Sequence, residues 1–439
     1  MSRNNKCQNV SNRCCNVVLD AAQSGWQLRE DKLRRCKLTA MRIAIISLSI
    51  LLLSGCWSRR EIEDLNITVA AALDIGHIAS EEQEFEKKGA DYPRNQRITL
   101  TYQMAKPEQS SGQDASGSKK KYRNVSLSGD SLYQISRETS LKETNPIFGQ
   151  HYKALVMGSD LAQQLNLRDI LDFFMREQEF RPSCLVYISR GTGKEVLDVN
   201  LTGDVPAFRL VGISDNHYRT NRLLKPLSLT NLLEKLNLMT SFLIQNVVTA
   251  KGELKLSGAS IISGSTGKQL GYLDEEDMEA VNWILGGSKG GVLKSKDIIT
   301  NQVSVYEITN VKSKITPHVE NGRISFDVKV KSDGRLGEQM ISDGNDFDNK
   351  FIRRLEEDAE KQIKELVTKL LDKLQKKYHA DVLGFSDKLR IAYPRLWEQE
   401  KKTWDETFAT TPIRYDVQVT IREYGTTNMR ERQVVGKEG

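Results

Sequence analysis

The chain has 439 residues, 38% hydrophobic and 28% charged, with six cysteines and a formal net charge of +6. This composition excludes a disordered chain and a small disulfide-stapled scaffold, and the length predicts two or three folded domains. The basic excess is local: residues 1–55 hold nine Lys/Arg against three acids, so the remainder is balanced and carries neither a nucleic-acid-binding nor an anionic-lipid signature.

Residues 1–40 contain Asp20, Glu30 and Asp31 and lack an apolar core. They read as a leader, either untranslated because synthesis starts at Met41, or unstructured and lost together with a signal segment. From Met41 the pattern changes. Arg42 precedes an apolar run from Ile43 to Leu53, and Ser54, Gly55 and Cys56 come directly after it. A positive start, a short apolar core, small residues and a cysteine make 41–55 a secretory signal with Leu53, Ser54 and Gly55 as its lipoprotein box. Cys56 is then the lipid attachment site. The run is too short to span a bilayer, which takes about 20 apolar residues, whereas a diacylglyceryl group supplies the two chains that stable anchoring needs. Cys7, Cys14, Cys15 and Cys36 all precede the box, so only Cys184 is left in the mature body and no disulfide can form within it. Lying in the apolar run Cys184–Ile188, it is predicted to be a small buried strand residue.

In the first domain, 56–197, strands predicted at 67–75, 97–104, 122–127, 151–157 and 184–188 alternate with helices at 131–141, 160–177 and 194–197, which argues for a mixed α/β layer. The Ser/Gly/Gln/Lys stretch between Pro107 and Lys121 reads as a loop. A middle domain, 198–300, opens with a linker over 200–226. Leu229, Leu232, Leu233, Leu236, Met239 and Leu243 then predict a helix over 228–247, whose apolar face is expected to pack inside its own protein. Strands at 253–263 and 269–273 come next. Asp274-Glu275-Glu276-Asp277 opens a helix through Trp283, its charges suiting the positive end of the dipole, and Gly286-Gly287 stops it.

The third domain, 301–425, predicts strands at 303–306, 313–319 and 324–330, with a hairpin turn at Asn321-Gly322. A long amphipathic helix over 347–378 places Ile352, Leu355, Ala359, Ile363, Leu366, Leu370 and Leu374 on one face. It lacks clear coiled-coil charge pairing, so packing on the neighbouring sheet is expected. A helix over 381–407 carries Trp397 and Trp404, a strand covers 413–422, and 426–439 is a frayed tail. The fold class is therefore α+β or mixed α/β, with three domains, mixed sheets and a long C-terminal helix.

The residues carry no catalytic constellation. His77, His151, His217, His318 and His379 are scattered without metal-ligand spacing. Gly191-Thr192-Gly193-Lys194 imitates the end of a phosphate loop, but Ile188 stands where the first glycine belongs and Glu195 where Ser or Thr should come after the lysine. It reads instead as a strand-to-helix turn, and Gly286–Gly291 as a flexible turn. Dipole complementation explains the acids at 274–277, which lack calcium-loop spacing. No cofactor or metal is called for, and the expected chemistry is recognition, not catalysis.

Cys56-Trp57-Ser58-Arg59-Arg60-Glu61-Ile62-Glu63-Asp64-Leu65, running into Ala71–Gly76, resembles the mature start of the Ger(x)C family of spore germination lipoproteins. The resemblance continues through Gly149–Leu155, Leu171–Arg181, Leu256–Ala259 and Gly286–Leu293. It is strongest at Ala380–Ser386, Tyr393-Pro394 with Trp397, and Trp404 leading to Val417–Val419 and Gly425, so that it covers 56–425. Two departures are the forty-residue leader and Ser58-Arg59, where an acid often comes after the Trp. The resemblance implies a three-domain mixed α/β lipoprotein on the outer face of the inner spore membrane. It implies the C subunit of a nutrient germinant receptor, working with an integral A subunit and a transporter-like B subunit; the lipid site at Cys56 is the one residue role that transfers. The alternative, a solute-binding lipoprotein serving a transporter, predicts two similar α/β lobes, which this order of elements does not provide.

Overall fold

The computed structural model describes helical residues 37–43, 45 and 47, and then 64–423 except 77–79, 91–97, 106–119, 178–179, 202, 342–343 and 345–347. The chain divides into two compact units, Met1–Ile62 and Glu63–Gly439, and the sheets and cores belong to the second. Leu53, Ser54, Gly55 and Cys56 lie outside the described residues. No helix among the described residues is long and apolar enough to cross a membrane.

A nine-stranded sheet forms the first half. Strand β1 (Asn66–Ile75) pairs antiparallel with β2 (Ile98–Ala105), which pairs with β3 (Tyr122–Gly129) at one border. On its other side β1 runs parallel to β5 (Ala154–Gly158), with the two-residue β4 (Ile147–Phe148) beside its start. Next come β6 (Leu185–Ser189), β7 (Phe242–Ala250), β8 (Glu253–Ile262) and β9 (Gln269–Leu273), so the order is β3-β2-β1-β5-β6-β7-β8-β9. The parallel pairing of β6 with β7 carries the sheet across position 198 without a break. Central strands buried on both faces read as continuous apolar runs. In β1, Ala71 and Leu73 face one core and Val69, Ala70 and Ala72 the other. The first core is closed by α2 (Leu132–Glu138), α4 (Leu167–Arg176) and α7 (Leu229–Leu238), the second by α5 (Gly193–Asp198) and α6 (Pro206–Ser214). Helices α1 (Ser80–Lys87) and α3 (Ser159–Gln164) complete this half. Cys184 is buried just before β6, and burial pushes its thiol up to about 12, far from reactive.

The smaller sheet has the order β10-β11-β12-β13, with β10 (Val292–Lys296), β11 (Val303–Glu320), β12 (Arg323–Gln339) and β13 (Ile413–Glu423). Asn321 and Gly322, both at positive φ, make the hairpin turn. The inner face buries Phe326, Val328, Val330, Val417 and Val419 against α9 (Asn349–Asp372) and the π-helical turn Lys373–Tyr378 that prolongs it. Helix α8 (Glu275–Leu285) sits in the same core with Met278, Val281 and Trp283, and that core also takes in Ile261 and Leu273 of the larger sheet. The long helix covers the border of its own sheet as well: Glu360 accepts from the Val419 N–H at 3.1 Å and Glu356 from the Ile421 N–H at 2.8 Å. Sheet borders are sites of stray pairing unless covered, and here carboxylates cover one.

The mixed α/β class, the mixed sheets and the long C-terminal helix agree with expectation, while several element assignments are corrected. The helix expected over 228–247 ends at Leu238. Met239 turns left-handed at φ 55, and Phe242 begins β7 because Ile244, Val247 and Val248 suit a pleated surface better than a helix. The expected linker contains α6, with Pro206 in its first turn and Ala207 and Leu210 buried. The helix expected over 160–177 breaks where Asn166 caps α4, its side chain accepting from the Arg168 N–H at 2.9 Å. The one expected over 381–407 is α10 (Phe385–Ala392), α11 (Pro394–Glu400) and α12 (Trp404–Thr410), because Pro394 cannot continue α10. The strands expected at 303–306 and 313–319 are one strand whose register shifts between Ile308 and Asn310.

Candidate functional site

The loop that imitates a phosphate site already holds an anion of its own. The Asp74 carboxylate, at the end of β1 and 2% exposed, accepts from the Gly193 N–H at 2.6 Å and the Lys194 N–H at 2.9 Å. These are the N–H groups that a helix start would offer to a phosphate. Thr192 and Glu195 close a capping box over the same turn. Gly193 must be glycine, since a Cβ there would stand 2.8 Å from the Val156 carbonyl oxygen. Lys194 turns away to an ion pair with Asp198. The turn fastens α5 to the sheet.

The acids of 274–277 likewise meet a protein partner. Asp274 and Asp277 form a reciprocal capping box, and Lys373, at the far end of the long helix, reaches Asp277 at 2.6 Å and Asp274 at 3.4 Å. Burial alone would raise the Asp274 carboxyl, but the Asp277 N–H and Lys373 outweigh it and hold the group below its usual range. Burial pulls the Lys373 ammonium down, and the same partners reverse the sign and leave it raised. Glu279, one turn on, is raised by burial despite its 2.6 Å contact with Arg222.

The strongest sequence signature, Ala380–Ser386 with Trp404, is a single knot. Asp381, 1% exposed, accepts from the N–H groups of Leu383 (3.1 Å), Phe385 (3.2 Å) and Ser386 (2.6 Å), and from the Trp404 indole N–H at 2.9 Å. Gly384 takes φ 79 so that the chain can curl around the carboxylate before α10 starts. Asp405 accepts from the Asp381 N–H at 3.3 Å and from the Ser241 hydroxyl at 3.0 Å, and its carboxyl is raised by burial. Ser241 lies at the start of β7, so this knot joins the larger sheet to the C-terminal helices. Phe326, Phe385, Trp397, Trp404 and Phe408 pack around it, edge to face or tilted against one another.

A groove of about 620 Å³ runs along border strand β3 and is lined by Phe85, Tyr122, Arg123, Lys142, Lys194 and Asp198 among others. Three of its cations are matched, Arg123 with Glu143, Lys142 with Glu82 and Lys194 with Asp198, while Lys120 lies over the Tyr122 ring. Among the described residues no three His, Cys, Asp or Glu side chains gather as a metal site requires. The geometry builds helix locks and an aromatic knot. Sequence reasoning treated Asp74 only as part of a strand and Asp381 only as a signature residue. The readable signal was an acid just past an apolar strand in one case and before a Gly-aromatic turn in the other.

Residues 58–248 match the family model described as spore germination protein N-terminal domain, and 257–425 match spore germination B3/GerAC like, C-terminal. Spore germination protein YndF of Bacillus subtilis strain 168 is 41% identical over 404 residues, covering 90% of this chain and 99% of the relative. This chain belongs to the B3/GerAC-like spore germination protein family. Spore germination protein B3 of the same organism is 30% identical over 391 residues, covering 88% of this chain and 99% of the relative. The crystal structure of the GerBC protein is similar as well, with a TM-score of 0.55 and 27% identity over 81% of this chain and 98% of that one. The knot at Asp381 and the Lys373 lock both fall inside the C-terminal family region, and the Asp74 turn inside the N-terminal one.

Proposed function

We propose that the chain is a lipid-anchored, non-enzymatic subunit of a spore nutrient germinant receptor, needed for receptor assembly or signalling. It stands on the outer face of the inner spore membrane beside integral A and B subunits. The observation that carries this reading is the relation to spore germination proteins over 99% of the length of two of them. The anchor rests on Leu53-Ser54-Gly55-Cys56: cleavage before Cys56 and acylation of its thiol leave a neutral body tethered to the bilayer. In this reading 1–40 is a leader, 41–55 the signal, and the mature chain is organised as 56–197, 198–300 and 301–425, with 426–439 as a tail. Helix locks and an aromatic knot suit a subunit that transmits contacts and has no chemistry of its own to perform.

Deletion in a sporulating host, with spores tested on a panel of amino acids and sugars, is expected to abolish the response to one class of nutrient and leave the others intact. Unchanged germination on every nutrient would overturn the reading. Mass spectrometry of the native protein is expected to find a diacylated Cys56 as first residue, and Cys56→Ala to release the protein from the membrane fraction. Tight calorimetric binding of a nutrient by the isolated body would favour a solute-binding role instead.

A further inference from the structure

The outer face of the smaller sheet holds an arrangement that costs stability and serves nothing within the chain. Lys312 and Lys314 of β11 stand directly opposite Lys331 and Lys329 of β12 in the antiparallel register. All four side chains are exposed, and none makes an ion pair or hydrogen bond among the described residues. Like charges directly opposite on one face destabilise a ladder. Side chains two apart on a strand are about 7 Å apart along it, and cross-strand partners about 5 Å apart, so four ammonium groups share one small flat patch.

The nearby acids do not neutralise it. Asp333 pairs with Arg422 at 2.6 Å and Glu307 with Arg335 at 2.7 Å, while Asp327 stands 3.0 Å from His318, which offsets it only when protonated, and leaves one carboxylate against four ammonium groups. Asp416 lies beside Lys329 in the β12–β13 register, and Arg414 beside Asp327 offsets it. Edge protection accounts for only half of the array. Lysine deters stray pairing on exposed borders, and among the described residues no strand pairs with β11 beyond Glu307 on the β10 side, where Gly287, Ser288 and Gly291 bond its backbone only as far as Val311. Lys329 and Lys331 sit on β12 between β11 and β13, where that reason fails.

We infer that this face is a docking surface for an anionic lipid bilayer, engaging headgroup phosphates through Lys312, Lys314, Lys329 and Lys331. Four ammonium groups clustered on one exposed sheet face complement an anionic layer, where each lysine near the surface adds roughly a factor of five in affinity. The overall neutrality of the body does not reveal this, because four of its lysines are clustered on one face. The inference adds to the anchoring reading and is tested without the anchor, so the two fail separately.

Both sheets and all three cores lie within the compact unit Glu63–Gly439, so residues 57–439 can be used without Cys56. Sedimentation with vesicles of phosphatidylcholine containing phosphatidylglycerol is expected to show binding that pure phosphatidylcholine lacks and that high salt removes. The variant K312Q/K314Q/K329Q/K331Q is expected to bind roughly several hundredfold more weakly. A control carrying K87Q, K251Q, K388Q and K402Q, with the same net charge, should keep most of the binding. The array variant should melt no lower than the parent, which separates lost binding from lost fold. Equal binding by array variant and parent, or equal loss in both variants, would overturn the inference. So would retention of polyglutamate without retention of vesicles, which would assign the face to an acidic protein.

Discussion

The two sheets of this protein solve burial differently. The nine-stranded sheet has helices on both faces, and its central strands carry Ala, Leu, Val and Ile on alternate sides with scarcely a polar residue exposed. The four-stranded sheet buries one face under α8 and α9 and gives the other to Lys, Arg, Asp and Glu. The first has no face left to offer and can act only through its ends and borders. The second keeps a whole face free at the cost of a core on one side alone, and so depends more on locks at its helix ends. Each region nevertheless fixes a helix start with a buried aspartate: Asp74 holds α5 and Asp381 holds α10.

Four substitutions probe this contrast. Asp381→Ala should have the largest effect, about 4 kcal/mol, since it strands three backbone N–H groups and the Trp404 indole N–H in a buried site. Urea unfolding measures it, and a loss below about 1 kcal/mol would show that the aromatic cluster holds the C-terminal region unaided. Asp74→Ala should cost about 2–3 kcal/mol, less because two N–H groups are stranded and the Thr192–Glu195 box remains. If this variant gained phosphate binding while Asp74→Glu did not, the turn would be a masked anion site.

Third is Lys373→Met, at about 1 kcal/mol after discounting for the ammonium's partial exposure. The pH dependence of this lock has a definite sign. The Asp274 carboxyl is depressed in the folded state, so its contribution is present above the ordinary carboxylate range near 4 and fades as pH falls through the folded value. The Lys373 ammonium is raised, so its contribution is complete below about 10 and disappears as pH rises through the folded value. Stability curves of parent and Lys373→Met should therefore converge at acid pH and separate by neutrality. The smallest effect is expected from Lys331→Gln, neutral to a few tenths of a kcal/mol stabilising, because it relieves repulsion with Lys312. A clear loss of stability there would mean that the lysine has a partner inside the fold.

What could be read from the sequence tracks the same contrast. Strands with a clean period or a fully apolar run were legible, such as β1, β8, β9 and β13, and so was the Asn321-Gly322 turn. The long helix showed itself through its 3–4 spacing. What failed was the division of continuous apolar spacing. Leu229 to Leu243 keeps a helical beat across a real break, because the left-handed turn at Met239 needs no glycine or proline to announce it. The three short C-terminal helices merged for a similar reason, since their tryptophans fall at helical intervals while Asp381 folds the chain back on itself. The buried aspartates stayed invisible because Asp74 accepts from backbone N–H groups far along the chain, and Asp381 from a distant indole and from N–H groups that only its own tight turn brings round.

The carboxylates of Glu356 and Glu360, laid over the outer backbone of β13, set a rule for how this protein can be crowded. Two copies held side by side cannot zip together there, because an incoming backbone would first have to strip both glutamates from the amides they satisfy. A protein kept at high local density can tolerate that density only if its exposed rims are already spoken for, and this rim is.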